Sequence, residues 1–150
     1  MILVKAALAV AGVMPLASYA ALGGAPSIGS ASPAMLRSAA SINPSAATRP
    51  YTTHEAHGTD GVTIHEYVLP DNVVFAVTWQ GPVRPDMSVL LGSYFPNFAN
   101  AAAQRARGAG PLIERGADLY IESAGRSGRF TGKAYLPRLV PAGVRVEQLQ

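Results

Sequence analysis

The sequence contains no cysteine. That excludes disulfides, thiolate-bound zinc, iron–sulfur clusters, a thiol nucleophile and a lipid carried on a cysteine behind a leader. Charge is also scarce. Only 14% of the 150 residues are Asp, Glu, Lys or Arg, and the formal net charge is +3. Lys5 and Lys133 are the only lysines, and the arginines are scattered, so the sequence offers no argument for nucleic acid as a partner. There is no Gly-x-Ser-x-Gly elbow, no P-loop ending and no His-Glu-x-x-His helix. No cofactor is expected. Trp79 is the single tryptophan, and the three histidines, His54, His57 and His65, fall within twelve positions.

After residue 20 no apolar run is long enough to span a bilayer, which takes about 20 residues. The first 20 residues read instead as a cleavable signal peptide. Lys5 supplies a positive start, Ala6 to Leu16 an apolar stretch, and Ser18-Tyr19-Ala20 the small residues of a cleavage site before Ala21. Removal of this leader leaves 11 basic against 9 acidic residues. The expected location is the periplasm, with secretion as the alternative, and no membrane span is expected after cleavage. Residues 21–50 read as a low-complexity arm. From Ala25 to Pro50, 17 of 26 residues are Ala, Ser or Pro, a composition that buries little surface. Ser32-Pro33 could start one helical turn within it.

Residues 51–150 read as one α+β domain. Tyr51–His57, Val62–Leu69 and Val73–Trp79 are rich in β-branched and aromatic residues, with turns at Gly58–Gly61 and Pro70-Asp71-Asn72. The third run is the most apolar and reads as a central strand, with Phe75, Val77 and Trp79 on one face. A four-residue turn at Gly58–Gly61 sets His54 directly opposite His65. Met87, Leu90, Leu91, Tyr94, Phe98, Ala101 and Ala102 recur at helical spacing behind the N-cap Asp86. Pro96 should kink this helix, which is expected to end near Arg107-Gly108. Gly108–Pro111 reads as a connector. Asp118–Ser123 and Arg129–Leu136 form a second hairpin, and Val144–Leu149 alternates as a last strand. The expected order is βββ-α-βββ: an antiparallel sheet with one kinked helix on one face.

Several of these stretches together resemble a known family. Ala21-Leu-Gly-Gly24, Tyr51-Thr-x-His54-Glu55, Glu66-Tyr67-Val68, Val74-Phe-Ala-Val77-x-Trp79-x-Gly81-Pro82, Pro85-Asp86 and Leu90-Leu-Gly92-x-Tyr94-Phe95 are similar to the exported bacterial proteins grouped as domain of unknown function 2844. The resemblance covers nearly all of the chain behind the leader. It implies export and a single small domain, and it brings no assigned activity, ligand or catalytic residue.

Three clusters could carry chemistry. His54 and His65, if paired across strands, could share a metal ion with Glu66 as a third ligand; ordinary sheet-surface histidines are the alternative. The Gly-rich turn Ala124–Gly128 could hold an anion with Arg126 and Arg129, or be a solvated hairpin turn. Trp79, Tyr94 and Phe98 either pack as core or line a pocket for an apolar or glycan ligand. The expected function is an exported, non-enzymatic binding or accessory module for an envelope component, a partner protein or a small ligand. The alternative is a small metal-dependent or acid/base enzyme using His54 and His65.

Overall fold

The computed structural model describes residues 22–27, 50–105 and 110–149. The expected leader, the Ser32-Pro33 turn and the helix end at Arg107-Gly108 lie outside the described residues. Six strands form one antiparallel sheet: β1 (Thr52–His57), β2 (Thr63–Val68), β3 (Val74–Gly81), β4 (Leu112–Arg115), β5 (Tyr120–Arg126) and β6 (Arg129–Tyr135). Their order is β1-β2-β3-β6-β5-β4. Two three-stranded meanders therefore meet at the β3–β6 pair, and β3 is central. The domain is α+β in βββ-α-βββ order, as expected.

Because β3 lies in the middle and β4 at the far edge, the chain between them must cross β6 and β5. The helical segment Met87–Ala103 makes this crossing and covers that face. It is broken into α1 (Met87–Leu91), a 3-10 turn (Gly92–Tyr94) and α2 (Phe95–Ala103). The break falls at Gly92, whose φ of 52° and ψ of −122° end α1, and not at Pro96. Pro96 sits in the first turn of α2, where its missing N–H forfeits no helical bond. Asp86 caps α1 as expected, accepting from the Ser88 and Val89 amides.

The main core lies between this helical layer and the sheet: Val77, Trp79, Leu90, Leu91, Phe98, Ile121 and Ala134 belong to it. Residues 22–27, at the head of the expected arm, are docked into the same core. Leu22 is buried, its amide donates to Leu90 O, and Gly23 and Gly24 exchange backbone bonds with Val74 at 2.8 and 2.9 Å. Gly23 has φ of 83° and lies against Tyr94 and Leu136, so this turn requires glycine.

Two expectations about the sheet need correction. Phe75 does not share a face with Val77 and Trp79. A register shift sets Val68 opposite Val74 but Tyr67 opposite Ala76, so Phe75 is the extra residue of a β-bulge. Its side chain joins Tyr51, Tyr67 and Ala76 in a second cluster on the opposite face. Val144–Leu149 is not a strand; it contains a 3-10 turn at Val146–Gln148 and lies across that second face, where Val140, Val144, Val146 and Leu149 cover the aromatic cluster. One-sided burial of a chain lying on a sheet produces the same alternation as a half-buried strand. The sixth strand is instead β4, which begins immediately after Pro111.

Candidate functional site

The hairpin that positions the histidines closes through five residues, Gly58–Val62. Val62 turns inward and is buried, Gly58 N–H donates to Val62 O at 2.8 Å, and Asp60 Oδ1 accepts from the Val62 amide. Gly81 permits this, since a Cβ there would come within 2.8 Å of Val62 Cα. The extra loop residue shifts the register by one. His54 lies opposite Glu66, and Glu55 opposite His65. Since successive residues of a strand face opposite ways, His54 and Glu66 share the helix-covered face, whereas His65 faces the other. The expected His54–His65 pair does not form, and His54, His65 and Glu66 do not converge. No group of three or more metal-ligating side chains is poised for a metal ion among the described residues.

Each face has its own use for these groups. On the helix side, Glu66 is buried and both of its oxygens accept from Ser27, from the amide at 3.1 Å and from the hydroxyl at 2.6 Å. It fastens the N-terminal segment to β2. His54 Nδ1 is buried beside it without a hydrogen-bond partner. On the open side, Glu55 bridges two imidazoles: His57 Nε2 lies 2.9 Å from Oε1 and His65 Nε2 3.6 Å from Oε2. Thr63 Oγ1 lies 3.1 Å from His57 Nδ1, and Thr78 Oγ1 3.5 Å from His65 Nδ1.

The pairing register carries this open side across the sheet. One row runs Glu55, His65, Thr78, Lys133, Glu122, and the next runs His57, Thr63, Gln80, Thr131, Ala124. The C-terminal segment covers only the aromatic end of this face. Beside it a cleft of about 300 Å³ remains, lined by His65, Thr78, Gln80, Glu122, Thr131 and Lys133, with Glu147 of the C-terminal segment at its border. Lys133 and Glu122 are directly opposed, yet they form no ion pair; Glu122 accepts instead from Tyr120 Oη at 3.3 Å. Next to the cleft, Tyr120 and Tyr135 stack at 4.7 Å. Burial, the neighbouring Tyr120 and Glu147 hold the Tyr135 hydroxyl above its ordinary pKa, partly offset by Arg115.

The other singled-out residues fall elsewhere. Trp79 and Phe98 are buried at 2% and 7% exposure and Tyr94 is half-buried, so the space between sheet and helix is filled by their packing. Trp79 also borders the cleft. Arg126 and Arg129 are an exposed cross-strand pair at the β5–β6 tip, on the cleft side of the sheet. Thr78, Gln80, Glu122, Thr131 and Lys133 were missed in the sequence. Their only signal was the polar half of each strand's alternation, which marks a solvated face as readily as a site.

Among the described residues no helix is long and apolar enough to cross a membrane. No curated protein and no solved structure matches the chain. One family model does match, over residues 18–149, and that span takes in the docked N-terminal segment, both meanders and the C-terminal cover. The chain belongs to the family described as protein of unknown function (DUF2844).

Proposed function

We propose that this protein is an exported, periplasmic binding module that takes up a polyhydroxylated component of the cell envelope on the uncovered face of its sheet. The observation that carries this is the cleft. Its wall alternates hydroxyl, amide, imidazole, carboxylate and ammonium groups, which offer both donors and acceptors to a ligand, on strands fixed by the register of a six-stranded sheet. Trp79 and Leu149 at its edge add apolar surface of the kind that the C–H faces of a sugar ring pack against. The leader-like first 20 residues support export.

The direct experiment is a titration of the isotope-labelled chain with neutral oligosaccharides, followed by backbone amide shifts. The reading expects saturable shifts at Thr78, Gln80, Glu122 and Thr131, abolished in Gln80→Ala/Thr131→Val. Shifts confined to other surfaces would remove it.

One observation favours a second, catalytic reading. Glu55 Oε2 stands 3.6 Å from His65 Nε2 and His65 lines the cleft, which places a carboxylate beside an imidazole that could serve as acid or base. Turnover of a bound saccharide by the wild type and its loss in His65→Ala would establish that reading; an unaltered ligand after prolonged incubation would dismiss it.

A further inference from the structure

Arg126 and Arg129 face each other directly across the β5–β6 hairpin. Like charges at opposed positions repel, and sheets ordinarily avoid such pairs or neutralise them. Here neither guanidinium has an ion-pair or hydrogen-bond partner among the described residues. By strand alternation both belong to the face that carries Thr131, Gln80 and Ala124, two residues further along. Lys133, four residues from Arg129 on β6, is the third unpaired cation on this face, about 13 Å away at the rise of a strand. It reaches no carboxylate although Glu122 is its cross-strand neighbour. Three cations without partners thus follow one line of the sheet, and hydroxyl and amide side chains lie between them.

We propose that this strip binds an acidic glycan. One acidic group is clamped between the Arg126 and Arg129 forks, a second reaches Lys133, and sugar hydroxyls between them meet Thr131, Gln80 and Thr78. The proposal rests on the reading of the cleft as a saccharide site and names the class of saccharide. Guanidinium pairs suit it because their planar donors match a carboxylate or phosphate two at a time. A clamped anion also relieves the repulsion between the two arginines, so the site is worth more occupied than empty. Nucleic acid, the other polyanion, fits less well. Tyr120 and Tyr135 are stacked on each other, Arg115 lies over the Tyr120 ring and Tyr135 packs against the second core, so neither is set out as a platform for a base, and Glu122 and Glu147 repel a dense run of phosphates.

The test compares three probes on the full chain: an oligogalacturonate, maltotriose as its neutral counterpart, and a thymidine oligonucleotide. The oligogalacturonate should shift the amides from Arg126 to Arg129 together with Thr131 and Lys133. Its affinity should fall by about tenfold or more in Arg126→Gln/Arg129→Gln, the scale of losing one charge-assisted contact. Maltotriose should be indifferent to that double variant, and Lys133→Gln should give a separate, smaller loss with the acidic probe. Equal affinity of wild type and double variant for the acidic probe overturns the proposal. So does oligonucleotide binding as tight as that of the oligogalacturonate. If both sugars shift the cleft amides and the double variant changes nothing, the cleft reading stands and the acidic-glycan proposal falls. If the acidic probe shifts only the hairpin tip, the cleft reading falls with it.

Discussion

Trp79 and Gly132 are opposed across the central β3–β6 pair, and the indole lies directly over the glycine. A Cβ at position 132 would come within 2.3 Å of Trp79 Cζ2 and within 2.5 Å of the Glu122 carbonyl oxygen. The indole is wedged into the centre of the sheet because residue 132 has no side chain. Leu91 and Phe98 belong to the same core. This contact anchors the strand on which the whole domain is organised.

Gly132→Ala should therefore destabilise the domain at the upper end of the overpacking range, by about 2–3 kcal/mol. One of the two clashing partners is backbone and cannot rotate away. Denaturant unfolding followed by Trp79 emission measures it, and the emission should shift to the red as the indole is displaced. An unchanged midpoint would show that the sheet absorbs the methyl group freely.

The docked N-terminal segment is a structural part, so mutations in it should act like core mutations. Leu22→Ala should cost about 2–5 kcal/mol, as for a buried leucine elsewhere. Ser27→Ala should cost about 1–3 kcal/mol by stripping the buried Glu66 carboxylate of a donor. Restoring Leu22 as Met should recover most of the first loss. Denaturant midpoints check all three; wild-type stability in a chain beginning at residue 50 would contradict the role of this segment.

Asp86, at the start of α1, contributes to the acid limb of stability. Hydrogen bonds from the Ser88 side chain, the Ser88 amide and the Val89 amide hold its carboxyl below the ordinary value of 3.8. A depressed folded-state pKa stabilises the fold above the unfolded value, and this contribution fades as pH falls through the folded value. The melting temperature of the wild type should thus drop more steeply than that of Asp86→Asn in that acid range. The two should differ by a constant amount at neutral pH. Parallel acid profiles would contradict this assignment.

Tyr135 works with the opposite sign. Its hydroxyl titrates above the ordinary value of 10.0, chiefly because burial disfavours the phenolate. A raised folded-state pKa stabilises the fold below the unfolded value and is lost as pH climbs through the folded one. Alkaline titration by phenolate absorbance should show a late-titrating tyrosine that disappears in Tyr135→Phe, and that variant should lose less stability above pH 10 than the wild type.

The fold was legible where one residue type dictated one local geometry. Asn72 adopts the positive φ of 65° that the Pro70-Asp71-Asn72 turn requires, and Asp86 caps its helix. The apolar pattern gave the strand–helix–strand order. What escaped were single-residue effects with long reach. One additional loop residue, Val62, reversed which faces His54 and His65 share, and one bulge residue, Phe75, crossed to the other core. Neither has a signature in composition or periodicity, because each is decided by how a buried side chain fits its tertiary surroundings. The cleft was illegible for a related reason. Its residues come from four strands, and only the β3–β6 and β5–β6 registers bring Thr78, Thr131, Lys133 and Glu122 together.

The account turns on the uncovered face of the sheet being where the protein meets its ligand. An amide shift map of the isotope-labelled chain, titrated with neutral and acidic oligosaccharides, tests that most directly. The account predicts saturable shifts concentrated at His65, Thr78, Gln80, Glu122, Thr131 and Lys133. Shifts centred instead on the amide-bearing surface of α2 at Asn97, Asn100 and Gln104, or no saturable shift with any oligosaccharide, would contradict it.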